Sequence, residues 1–280
     1  MNKSQHIKMK SNSLIKRVAT ALIMVPIIVW LILDTSAYFF AVVSALFYLG
    51  AAWEWAALIG VKTKVNRFAY MMSMLAALPI VRFIPDNYVL WIGVIWWLWV
   101  IFILYHYVKT QNQQQMLFTN MMIGFLVILP CWVGLNSLRS GSHGAEFLLL
   151  FFFLLWSVDS GAYWFGTKFG KRKLASRLSP RKTIVGVVGG FLFMLVFLVL
   201  GIWILYIPRS RWLALLIIAV IMNIFSIIGD LFASMLKRKA NVKDSGNIMP
   251  GHGGFLDRMD SALAAAPVFA LALSLVNLQP

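Results

Sequence analysis

An all-α fold that crosses a membrane repeatedly is what the sequence predicts, and three observations predict it. The chain is 61% hydrophobic and only 12% charged, with a mean hydropathy of +0.83, whereas about a quarter of a soluble domain is charged. Its apolar residues gather into nine runs long enough to cross a bilayer as helices, which takes roughly 20 residues each. Its basic residues lie between these runs and are dense in alternate gaps, as in a chain that passes back and forth through lipid.

The first run, near 18–33, follows Lys3, Lys8, Lys10, Lys16 and Arg17. No small-residue cleavage site follows it, so it reads as a retained helix rather than a signal peptide. The second run, 36–60, is long and holds Glu54; the third, 68–84, is short and holds Arg82. The remaining six fall near 88–107, 117–138, 145–166, 184–207, 211–233 and 259–277. With the N-terminus in the cytosol, 21 of the 25 Lys and Arg fall in cytosolic segments. Only Arg82, Arg139, Arg209 and Arg211 fall opposite, so nine spans with an external C-terminus form a self-consistent arrangement. No segment between runs is large enough to fold alone, and the chain reads as one membrane domain over 1–280.

The net charge of +16 does not point to nucleic acid, because the cations are scattered between spans instead of forming one soluble basic face. Cys131 is the single cysteine and sits inside an apolar run, where it reads as a small buried hydrophobe. Ionisable groups within spans cost roughly 2.5–3.5 kcal/mol each on insertion and default to functional candidates. Asp34, Asp86 and Glu146 fall at outer helix ends, whereas Glu54, Asp159, Asp230, Asp244, Asp257 and Asp260 fall at or near the inner side. A transporter would spread such groups through the membrane depth and show duplicated halves; neither pattern is evident here. One site at the cytosolic interface fits better.

The strongest local signal is GDLFASMLKRKANVKDSGNIMPGHGGFLDRMD, residues 229–260. Helical spacing puts Asp230, Ser234 and Lys237 on one face of the eighth run, and Asp257 and Asp260 on one face at the start of the ninth. Carboxylates from two adjacent helices suit a hard cation such as Mg²⁺, which takes one or two carboxylates plus substrate phosphates. Lys237, Arg238 and Lys243 beside them favour that reading over simple helix capping by Asp257 and Asp260. Between the two runs lies PGHGG, 250–254, where glycines ahead of a helix N-terminus could admit a phosphate. His252 could orient a phosphate, transfer a proton or hydrogen-bond the loop. The absence of HxxH or HExxH spacing argues against zinc. A second polar stretch, 156–190, interrupts its helix with Asp159 and Ser160 and carries seven cations from Lys168 to Lys182. Those cations suit anionic headgroups. The ordered SPRKT that ends the stretch offers Ser179, Lys182 and Thr183 to a triphosphate. Gly186, Gly189 and Gly190 read as helix-packing positions.

Ser234-x-Leu236-Lys237-Arg238, then Lys243-Asp244-x-Gly246, then Pro250-x-His252-Gly253-Gly254-Phe255-x-Asp257-Arg258-Met259-Asp260 resembles the signature of the phosphatidate cytidylyltransferase family. GDL at 229–231, DSGAY at 159–163, SPRKT at 179–183, LIKRVATAL at 14–22 and WEW at 53–55 resemble further family blocks, and the resemblance is dense over 156–270. Met249, Val185 and Ala233 depart from it, the last two standing where relatives commonly carry polar residues; a paralogue acting on another lipid phosphate, or with reduced activity, is the alternative they raise. The resemblance implies a nucleotidyltransferase that makes CDP-diacylglycerol and pyrophosphate from CTP and phosphatidic acid with Mg²⁺. It implies a bacterial inner-membrane setting with the site facing the cytosol, and it leaves open a second cation and a homodimer. Carried onto this chain, it implies Asp230, Asp257 and Asp260 as metal ligands, with Lys237 and His252 beside them in catalysis. Ser234, Arg238, Lys243, Asp244, Arg258, Asp159, Ser179, Lys182, Gly253 and Gly254 would contact substrate.

Overall fold

The computed structural model describes residues 22–110, 117–248 and 253–278. The basic residues from Lys3 to Arg17, most of LIKRVATAL, Met249 and His252 lie outside the described residues. Each predicted run appears as a helix: α1 (Leu22–Leu33), α2 (Ala37–Leu58), α3 (Lys64–Val81), α4 (Asp86–Thr110), α5 (Leu117–Ser140), α6 (Gly144–Phe169), α7 (Ile184–Ile204), α8 (Trp212–Lys239) and α9 (Leu256–Leu275). Seven of them, α2 and α4–α9, are long and apolar enough to cross a membrane among the described residues. The protein is therefore an all-α, polytopic integral membrane protein. One local departure is a two-stranded antiparallel hairpin, β1 (Lys173–Ala175) against β2 (Ser179–Thr183). The SPRKT motif is thus a strand that runs straight into α7.

Local chemistry sets the helix ends. Ser36, Thr63 and Thr183 each accept a hydrogen bond from the amide three residues on, at the starts of α2, α3 and α7, satisfying donors the helix leaves unpaired. α8 stops at Asn241, which takes a left-handed φ of 55°, while Val242 N–H returns to the Lys237 carbonyl at 2.9 Å.

Lipid supplies no hydrophobic drive between helices, so close approach of backbones has to hold them together. A side chain at Gly190 would meet the Val158 carbonyl at 2.7 Å, and one at Gly161 would meet the Gly189 carbonyl at 2.6 Å. α6 and α7 are locked at that seam, as the GG pair predicts. α9 is the centre of the molecule, packed by α4, α5 and α8, with Ala264, Ala265 and Ala266 fully buried. Gly134 of α5 lets α9 come within 3.0 Å of where a side chain would begin.

Side-chain contacts between helices sort into two ends. At one, Arg139 donates to the Thr35 carbonyl, Ser274 hydrogen-bonds Asn87 at 3.3 Å, and Arg211 reaches the Val276 carbonyl at 2.5 Å. At the other, Trp55 Nε1 donates to the Asn120 carbonyl at 3.0 Å, Tyr70 to the Met121 carbonyl at 3.0 Å, and Arg177 to the Val108 carbonyl at 2.5 Å. Lys239 lies over the Tyr107 ring at that second end. Successive helices thus run in opposite directions, and the second end carries the hairpin and the α8–α9 loop.

Candidate functional site

Two aspartate–lysine pairs occupy the second end, where α6, α7, α8 and α9 meet. Asp230 of α8 is in contact with Lys182, the last cation of SPRKT, which stands one residue before the Thr183 cap of α7. Asp257, in the first turn of α9, accepts from Lys237 of α8 at 2.7 Å; the two side chains are only 8% and 13% exposed. Ser234 hydrogen-bonds Asp230 at 3.4 Å, so the shared face of Asp230, Ser234 and Lys237 is present. A side chain at Gly229 would lie 2.4 Å from the Asp260 carbonyl, which puts the α9 backbone directly against α8 beside Asp230. Asp159, Asp230 and Asp260 lie within electrostatic reach of one another and of Lys182.

The helix ends around these pairs are staggered, and the stagger bounds an open recess beside Asp230. Lys182 meets Asp230, so α7 begins near the depth of that acid, whereas α9 begins beside Lys237, about two turns further along α8. α6 and α8 continue past Asp159 and Asp230 for about ten residues each, or roughly 14 Å at 1.5 Å per residue. Their last turns and the hairpin form the walls. Asp159 is exposed, as are Arg238, Lys243, Asp244 and Arg258; Ser179 in β2 is half-buried. No ion pair engages Arg238, Lys243 or Arg258 among the described residues, which leaves three cations facing solvent at the rim.

The acids are not preassembled as a cage. Among the described residues no three carboxylate, imidazole or thiol groups are gathered closely enough to hold a metal by themselves. The reason is visible at Asp257, whose Oδ1 faces Lys237 while Oδ2 accepts from Ser245 N–H at 2.7 Å, Gly254 N–H at 3.0 Å and the Ser245 hydroxyl at 3.0 Å. Asp260 Oδ1 accepts from the Ser261 amide at 2.8 Å.

The loop glycines have a use that the sequence did not indicate. Gly253 takes φ +82°, and a side chain there would begin 2.6 Å from Asp257 Oδ2, a conformation and a clearance that glycine alone provides. The Gly254 amide is engaged by Asp257 and not directed at the recess. Gly246 and Gly254 make room for Glu54, whose carboxylate oxygens would lie 2.3 and 2.2 Å from a side chain at either position. Glu54 is 2% exposed. Its apolar setting in α2 marked it as costly in the sequence, but its counter-groups lie about 190 residues away, with Ser245 at a separation of 191. Ser245, which bridges Glu54 and Asp257, carries no sequence signal of its own.

Comparison with known proteins gives the family. Residues 15–276 match the cytidylyltransferase family. The chain is 37% identical over 261 residues to a phosphatidate cytidylyltransferase of Pseudomonas aeruginosa, spanning 92% of this chain and 96% of the relative. It is 32% identical to one of Haemophilus influenzae, across 91% of this chain and 96% of the relative. A phosphatidate cytidylyltransferase of Bacillus subtilis is 37% identical over 161 residues, or 55% of this chain and 60% of the relative. A match that runs through nearly every helix and through both polar stretches places the chain in the cytidylyltransferase family.

Proposed function

We propose that the protein transfers the CMP unit of CTP to phosphatidate, giving CDP-diacylglycerol and pyrophosphate. The observation that carries this reading is the meeting of Asp230, Asp257 and Asp260 with Lys182 and Lys237 at one end of the bundle, in a chain belonging to this family. A phosphate oxygen of phosphatidate attacks the α-phosphorus of CTP, and the bond from that phosphorus to the bridging oxygen of the leaving pyrophosphate breaks. The attacking oxygen is already anionic at neutral pH, so no serine or cysteine nucleophile is required. The barrier lies in bringing two polyanions together and relieving charge on the leaving group, which is work for positioning and fixed charge.

Lys182 and Lys237 would serve that purpose from inside the recess, and Arg238, Lys243 and Arg258 from its rim. Ser179 and Ser234 offer hydroxyls to phosphate oxygens, Asp159 either contacts the nucleotide or supports Lys182, and Asp244 stands beside Gly253 at the loop. The donor set fits Mg²⁺: the carboxylates are hard oxygen ligands, and Mg²⁺ ordinarily takes one or two of them and completes its shell with phosphate and water. Asp230, Asp257 and Asp260 would hold it, and when bound it would supply charge neutralisation for the triphosphate and the departing pyrophosphate. The same reading puts the recess on the cytosolic face of a bacterial inner membrane, with nine spans, the N-terminus inside and the C-terminus outside. The supply of CTP in the cytosol and the 21-to-4 division of Lys and Arg support it.

Radiolabelled CTP, phosphatidate and the purified protein provide the test. Label should enter lipid only with Mg²⁺ present, and Asp230→Asn or Asp257→Asn should abolish incorporation while the protein stays inserted. Incorporation at wild-type rates by either variant would remove these aspartates from the site; no incorporation by the wild type would remove the reaction.

A further inference from the structure

We propose that Glu54 is a positioning residue for the reaction: from α2 it caps the N-terminus of α9 and thereby fixes Asp257 against Lys237. The inference rests on the assignment of Asp257 and Lys237 to the site.

α9 begins without a side-chain cap of its own; Phe255 stands at the capping position and makes no such bond. The first amides of a helix need acceptors, above all where water is scarce. Glu54 supplies them across the bundle. Its Oε1 accepts from Phe255 N–H at 3.0 Å, and its Oε2 accepts from Leu256 N–H at 3.0 Å and the Ser245 hydroxyl at 2.8 Å. The neighbouring amide, Gly254 N–H, goes to Asp257. An anion at this helix end also meets the positive end of the α9 dipole.

The contact is built, not incidental. Phe47, Gly50 and Glu54 fall on one face of α2 by helical spacing. Phe47 packs edge-on against Phe255 with ring centroids 5.4 Å apart, and a side chain at Gly50 would begin 2.5 Å from that same ring. Glu54 itself sits in a space left by two glycines, Gly246 and Gly254. Ser245 completes the coupling: its single hydroxyl proton lies between Glu54 Oε2 and Asp257 Oδ2, 2.8 and 3.0 Å away. A shift of Glu54 is therefore felt at the carboxylate that holds Lys237.

Glu54→Gln tests this. The amide nitrogen of Gln faces a backbone donor, so one of the two caps must fail, while the size of the side chain is kept. Purified in detergent, the variant should elute as the wild type does. Hydrogen exchange in a peptide covering 254–258 should be at least about ten times faster than in the wild type, with the rest of α9 unchanged. A misplacement of about 1 Å costs up to ~10²-fold in rate, so kcat per folded molecule should fall roughly 10- to 100-fold with the KM for phosphatidate unchanged. Wild-type kcat in folded Glu54→Gln overturns the proposal, and so does a fall in kcat with unchanged exchange. If Glu54→Gln does not insert, Ser245→Ala carries the test, since it removes the bridge and leaves both amide caps. A smaller fall in kcat, with the KM for phosphatidate and exchange at 254–258 both unchanged, supports the proposal, and wild-type kcat overturns it. Exchange needs no turnover, so an inactive wild type would refute the reaction and leave the cap to be judged by exchange alone.

Discussion

Replacing Lys237 with methionine removes the ammonium from a pair that is nearly dry. The side chains are 13% and 8% exposed and the hydrogen bond is 2.7 Å. Breaking a buried ion pair from one side costs roughly 3–5 kcal/mol when the remaining charge has nothing else. Asp257 has more: two backbone amides within 3.0 Å, a share of the Ser245 hydroxyl proton, and the N-terminal dipole of α9. The loss should therefore be nearer that of one charged hydrogen bond, ~1.5–3 kcal/mol. At ~2–4 °C per kcal/mol for chains of about this size, thermal unfolding in detergent should move down by about 3–10 °C. Turnover should fall much further, by roughly 10²- to 10³-fold, the usual effect of deleting one donor to a developing phosphate charge. Lys237→Met, Asp257→Asn and the double variant, read by fluorescence-detected gel filtration after heating and by CTP incorporation into lipid, form a cycle that isolates the pair. A coupling energy of zero in stability, or turnover within a factor of two of wild type, would refute the reasoning.

Other expectations follow from single contacts. Gly254→Ala puts a methyl 2.2 Å from Glu54 Oε2 and 2.4 Å from the Ser245 hydroxyl, so overpacking of about 1–3 kcal/mol should lower the melting temperature and kcat together; an unshifted melting curve would show that the loop yields freely. Asp260→Asn replaces one of the carboxylates proposed to hold Mg²⁺ and should lower Mg²⁺-dependent turnover and raise the Mg²⁺ concentration needed for half of it; a wild-type Mg²⁺ response would remove Asp260 from the proposed ligand set. Cys131 is fully buried, so an exposed cysteine introduced at Ser176 in the hairpin, or at Ser210 between α7 and α8, can be read alone. An impermeant maleimide should label Ser176→Cys only from the cytosolic side and Ser210→Cys only from outside; the reverse would invert the proposed orientation.

How much of this was legible in the sequence follows from which interactions are local. Hydrophobic run length located α2 to α9 to within six residues at each end, because a span must satisfy its own backbone. The GG pair at 189–190 announced the α6–α7 seam for the same reason: small residues on a membrane helix have little other use. Asp230 with Ser234, and Asp257 with Asp260, were visible as helix faces. What the sequence hid was the direction each carboxylate takes. Asp257 turns one oxygen to Lys237 and the other to loop amides, so a DxxD pattern that suggests a ready cage becomes half of an ion pair. The hairpin was hidden because SPRKT has only five residues and one of them is proline. Glu54 stood out as a charge within a span, but its partners were hidden, because they are set by the packing of α2 against α9, which no local pattern encodes.

Charge balance explains why the recess is built of pairs and not of acids alone. Asp159, Asp230 and Asp260 share one space, and bare carboxylates there would repel a nucleotide triphosphate and a lipid phosphate alike. Lys182 offsets Asp230, and Lys237 is held by Asp257, so the resting site keeps its negative charge moderate without giving up oxygen ligands. Each lysine stands next to the carboxylate it serves and within the same recess as the rim cations. A divalent ion held by the aspartates would supply their neutralisation, and the ammonium groups of Lys182 and Lys237 would then be available to phosphate oxygens. Cation and nucleotide would then each favour the other's binding, since each satisfies groups that the other leaves uncompensated. For that exchange Asp257 has to stay in place when Lys237 turns toward phosphate. The amides of Ser245 and Gly254 hold it there, on a loop that is itself held by Glu54.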